Sequence, residues 1–138
     1  MPVYSPYRET RRVVLTDAAQ SIANATASDV TWGTEVTDPR GWTSGGSATL
    51  TCPTGDEGAY SVSFVGGWAT NPTITNFVSV QINGAATYSA SVNVNLNEVT
   101  CSFDRTFAAG DTLKFVVYQA SGAAINITSR LELSWLGP

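Results

Sequence analysis

Short runs of alternating apolar and polar residues, separated by Gly, Pro, Asn and Asp, succeed one another along the 138-residue chain. Alternation with period two is clearest at Tyr60, Val62 and Phe64 and at Leu131, Leu133 and Trp135, which puts each set on one face of a strand. The same reading predicts strands over Arg12–Leu15, Asp29–Trp32, Ala48–Thr51, Tyr60–Val65 and Phe77–Ile82. Further strands are predicted over Ser89–Leu96, Val99–Phe103, Leu113–Gln119 and Arg130–Leu136. Asn83-Gly84 is a strong hairpin signal, because both residues tolerate positive φ. No segment sustains a helical apolar period for three turns. The pattern predicts an all-β, two-sheet antiparallel sandwich of the jelly-roll type.

One strand is apolar on both faces. Leu113, Phe115 and Val117 form one face, while Val116 and Tyr118 stand beside Lys114 on the other. Strands of this kind are usually covered on both sides, and in a two-layer sandwich the second cover is expected from another chain. Lys114, Val116 and Tyr118 are therefore the expected contact between copies of a homo-oligomer.

Residues 1–10 carry two prolines, two tyrosines and no apolar period, and read as an extended arm ahead of a domain over 11–138. Arg8, Arg11 and Arg12 cluster at its base, although the whole chain has formal net charge −4. Only 13% of residues are charged, so polarity rests on hydroxyls and amides. An acidic chain with seven basic residues argues against a nucleic-acid partner. The apolar runs are too short for a membrane span or a signal peptide, so synthesis in a reducing cytoplasm is expected.

The chain has no histidine, which excludes Ser-His-Asp and Cys-His catalysis and any zinc site that uses histidine. No enzyme activity, catalytic residue, metal or cofactor is expected. Asp56-Glu57, the one adjacent acidic pair, sits in Pro53–Gly58 and reads as a turn rather than as a glycosidase pair across a cleft. Asp29, Glu35, Asp38, Asp104 and Asp111 lack the spacing of a calcium loop and read as turn residues. Cys52 and Cys101 are expected as buried free thiols. Two glycosylation sequons, at Asn24 and Asn126, are taken as chance. Trp32 and Trp135 are expected in the core, whereas Trp42, Trp68 and Asn71 fall in loop-like stretches and are the candidate ligand residues.

Several segments in order resemble the globular head of complement component 1q and the tumour-necrosis-factor-like superfamily. They are Ala19–Ile22 leading to Val30-Thr31-Trp32 and Glu35–Asp38, then Leu50–Pro53 followed by Gly58-Ala59-Tyr60 through Phe64. Val80–Gly84, Phe107–Leu113 with its Ala109-Gly110-Asp111 turn, and Arg130–Pro138 complete the series. The resemblance implies a ten-strand jelly roll that assembles as a tight homotrimer and binds partners without catalysis.

No collagen stalk, signal peptide or membrane anchor is expected from the sequence. Its wording at Asp29–Trp32, Glu35–Pro39 and Trp135–Pro138 looks like that of stand-alone heads in virion proteins of tailed bacteriophages. The resemblance thus implies a capsid decoration protein, a head knob or short fibre at the virion surface. Its partners would be two further copies and the major capsid protein or another virion protein. Tyr4, Tyr7, Arg8, Arg11 and Arg12 would dock the arm. The alternative is a tail-tip adhesin that recognises host-surface glycan through Trp42, Trp68 and Asn71.

Overall fold

The computed structural model describes residues 11–72, 75–92 and 97–138. Ten strands follow in chain order: β1 Arg12–Ile22, β2 Ser28–Asp29, β3 Thr34–Thr37, β4 Thr49–Thr51 and β5 Gly58–Trp68. They continue with β6 Asn76–Ile82, β7 Ala85–Val92, β8 Glu98–Phe107, β9 Thr112–Gln119 and β10 Ile125–Gly137. Two antiparallel sheets face one another, in the orders β3-β1-β10-β5-β8 and β2-β9-β6-β7, with β4 also paired to β9. This is the all-β jelly roll that the alternation predicts.

Local chemistry explains the elements. In β5 every second residue from Gly58 to Trp68 is buried, and the same alternation runs through β6 and most of β10. Asn83 and Gly84 take φ of 52° and 79°, the paired positive values of a type I′ turn, and join β6 to β7. Hence β7 starts at Ala85, before the expected Ser89, and the far end of the expected Ser89–Leu96 strand lies outside the described residues. The Asp29–Trp32 strand shortens to Ser28–Asp29, with Val30 and Trp32 buried from irregular backbone.

Two aromatic groups fill the interior. Phe64 from β5 stacks on Phe115 from β9 at 4.9 Å, with Trp32 edge-on to both. Nearer one end, Trp42, Tyr60 and Phe107 meet edge to face at 5.2–6.1 Å. Tyr88 and Phe103, stacked at 4.2 Å, link β7 and β8, which border the two sheets.

Leu113, Phe115 and Val117 are fully buried between the sheets, yet on the opposite face Val116 is already only 8% exposed within one chain. On the same face Tyr118 stacks on Phe77 at 5.0 Å, and Lys114 pairs with Asp29 at 3.2 Å.

Candidate functional site

The start of β1 and the end of β10 meet at one end of the sandwich. The Trp135 amide donates to the Arg11 carbonyl at 3.0 Å, and the Arg11 guanidinium lies 4.4 Å over the Trp135 ring. Arg11 Nε also stands 3.7 Å from Oδ1 of Asp56. Gly58 makes room for this arrangement. A Cβ there would sit 2.5 Å from both Trp135 Nε1 and the Gly137 carbonyl, and φ of +142° disfavours any other residue.

Asp56 is the hub. The sequence places it correctly in a turn, with its amide donating to the Pro53 carbonyl, but its carboxylate points inward and is buried. A buried carboxylate needs partners. Oδ2 accepts the Trp42 indole N–H, while Oδ1 has no hydrogen bond and is faced by Arg11. The Tyr60 hydroxyl donates to the Asp56 carbonyl at 2.8 Å. Asp38 fixes Trp42 from its other side by accepting the amides of Trp42 and Thr43 at 2.8 and 2.9 Å. Glu57 stays outside and accepts the Gly55 amide.

The electrostatics follow from this crowding. Burial, with the charges of Asp56, Glu57 and Asp111, pushes the Cys52 thiol up to about 11. Burial also raises Cys101, and both cysteines are free. Tyr60 is raised by burial first and by its contact with Asp56 second. Asp111, which accepts the Ala108 amide and the Asn83 side-chain amide, lies below its usual value for that reason.

Of the five predicted docking residues, Tyr4, Tyr7 and Arg8 lie outside the described residues. Arg11 and Arg12 are engaged within the domain itself: Arg11 faces Asp56, Arg12 grips Glu132 through Nε and Nη2 at 2.9 and 2.8 Å, and Arg130 approaches Glu132 at 3.6 Å. The predicted ligand tryptophans are interior residues. Trp42 is 1% exposed and Trp68, at the end of β5, is 4% exposed, because each indole N–H has an interior acceptor, Asp56 for one and Asn76 for the other. Neither ring offers a face to a sugar. Asn71 is half-buried, with its Oδ1 sealed from solvent.

Trp135 corrects the opposite way: it is 38% exposed, with the Arg11 guanidinium over its ring and Gly58 against its indole nitrogen. Leu136 beside it is 57% exposed. A concavity of about 560 Å³ lies across β3, β1, β10 and β5, lined by Thr16, Thr34, Val65, Thr128 and Arg130 among others. Among the described residues no group of three or more His, Cys, Asp or Glu is placed to hold a metal, and no helix is long and apolar enough to cross a membrane.

The fold defines a class: it is the jelly roll shared by tumour necrosis factor and complement 1q heads. Among solved structures the chain is similar to the PRD1 vertex protein P5, at 16% identity and a TM-score of 0.68 over 91% of this chain and 96% of that one. It is also similar to the globular domain of zebrafish complement 1qA (13% identity, TM-score 0.63, 91% and 96% covered). Murine APRIL matches at 17% identity and a TM-score of 0.63, with 89% and 98% covered. In sequence, the chain matches no protein-family model and no curated protein.

Proposed function

We propose that the protein is a structural component of a tailed-bacteriophage virion: a homotrimeric capsid decoration protein, a head knob or short fibre docked through residues 1–10. The observation that carries this reading is the likeness of nearly the whole chain to a phage vertex protein, with the base of the arm clamped to the knob by Arg11 and Arg12. A clamped base transmits load from arm to domain, while Tyr4, Tyr7 and Arg8 remain to make the contacts with a virion protein. The reading includes no catalytic step and no cofactor. The trimer is the assembly through which such a knob gains avidity, since three arms act at high effective concentration.

Co-sedimentation with undecorated capsids, and in parallel with host cell walls, tests it. Saturable binding of the full chain to capsids, lost without residues 1–10, is the expected result. Binding to cell walls alone, unaffected by loss of the arm, would replace this reading with the adhesin.

A further inference from the structure

We propose that Asn83 is a self-modification site: the Gly84 amide converts its carboxamide to an aspartyl or isoaspartyl residue at a rate that Asp111 holds down, and conversion unlatches the β6–β7 turn from the start of β9. The proposal is independent of the virion reading. Of the asparagines in the chain, Asn83 alone precedes glycine; the others precede Ala, Pro, Phe, Val, Leu, Glu or Ile. Attack on a side-chain amide by the next backbone nitrogen needs that nitrogen uncrowded, and glycine, without a Cβ, crowds it least. Asn83 and Gly84 are both exposed, and a Cβ placed on Gly84 would meet nothing within 4 Å. Solvent therefore reaches the reacting atoms.

The step balances with water alone. The Gly84 nitrogen gives its proton to solvent base and bonds to Asn83 Cγ, the Cγ–Nδ2 bond breaks, and Nδ2 leaves as ammonia with a proton from solvent. Water then opens the cyclic imide at one of its two carbonyls, which leaves an aspartyl or an isoaspartyl residue at position 83.

A clasp restrains this reaction. Nδ2 of Asn83, the leaving nitrogen, donates to Asp111 Oδ1 at 3.0 Å, and Oδ1 of Asn83 accepts the Thr112 amide at 2.8 Å. The Asn83 amide donates to the Thr112 carbonyl at 3.0 Å, and Asp111 is itself fixed by accepting the Ala108 amide at 2.9 Å. Bringing Cγ onto the Gly84 nitrogen rotates the carboxamide out of these bonds, and a hydrogen bond to a charged acceptor resists that rotation. Conversion removes the Nδ2 donor and sets a carboxylate against Asp111. An isoaspartyl link also adds a backbone carbon to a two-residue turn set by paired φ of 52° and 79°. The strain passes inward, because the Asp111 carbonyl accepts the Cys52 amide at 2.9 Å and the Cys52 carbonyl accepts the Gly110 amide at 2.8 Å.

The test holds the full chain at mildly alkaline pH, native and in guanidinium chloride, and follows aspartate and isoaspartate at position 83 by peptide mapping and mass spectrometry. Asn83 should convert ahead of every other asparagine, and at least about tenfold more slowly in the native state than in the unfolded one. Asp111→Ala should remove most of that protection, and Asp111→Asn, which keeps a neutral hydrogen bond, should lie between. Equal native and unfolded rates, an unchanged native rate in Asp111→Ala, or faster conversion at another asparagine would overturn the proposal. If Asp111→Ala fails to fold, the native rate of Asp111→Asn decides the clasp.

Asn83→Asp reads the consequence directly. It should lower the urea midpoint and speed the labelling of Cys52, but not of Cys101, by a thiol reagent. An unchanged midpoint or unchanged Cys52 labelling would contradict the unlatching. An equal rise at both cysteines would report general unfolding and contradict it as well.

Discussion

Replacing Trp42 with Phe separates an interior role from a ligand role at one residue. The indole N–H is the hydrogen bond to Asp56 Oδ2, and Phe leaves that buried carboxylate oxygen without a donor. A hydrogen bond to a charged group contributes about 1.5–3 kcal/mol, and the loss is at the upper end where the orphaned group stays buried. The smaller ring also weakens edge-to-face contacts with Tyr60 and Phe107, each worth roughly 0.5–1.5 kcal/mol. Together the loss is about 3 kcal/mol or more, which for a domain of this size lowers the melting temperature by roughly 10 °C. Urea unfolding and thermal scans at one fixed chain concentration read the change, since an oligomer's stability depends on concentration. A surface sugar-stacking residue would change stability by less than about 0.5 kcal/mol. A shift that small for Trp42→Phe would refute the interior assignment and revive the loop as a ligand site.

Gly58→Ala is expected to cost about 3 kcal/mol, because the added Cβ meets backbone and indole at 2.5 Å and the backbone is strained; thermal melting together with the Trp135 indole resonance measures it. Native protein should leave both thiols unmodified by a thiol reagent at pH 8, since Cys52 is held at about 11 and both are buried; unfolding in urea should release both. Asp111 has a folded value below its unfolded one, so its contribution is full above the unfolded value and fades as pH falls towards the folded one. Asp111→Asn should therefore lose stability at pH 6 while flattening part of the decline in urea midpoint between pH 5 and 3.

The strands were legible because their signals are local. Tyr60, Val62 and Phe64 alternate within one segment, and Asn83-Gly84 names its own turn geometry. The hub at Asp56 was not legible. Trp42 joins Asp56 across fourteen positions of largely irregular backbone, and nothing in the period of either segment marks the pair. Loop composition around Trp42 suggested exposure, whereas an interior acceptor for the indole decided burial. Trp135 shows the converse. Its alternation with Leu131 and Leu133 points it inward, but alternation carries no information about how far neighbouring elements cover that face. The partners of Arg11 were hidden for the same reason, since Asp56 and Trp135 lie far along the chain. On β9, period alone could not tell that Phe77 and Asp29 flank the second face.

The most direct test of the virion proposal is to quantify this chain, by mass spectrometry alongside the major capsid protein, in purified particles of any phage whose genome carries the sequence. The account predicts a fixed stoichiometry in multiples of three that survives repeated density-gradient purification. Abundant chain in the infected lysate but none in the purified particles would contradict it.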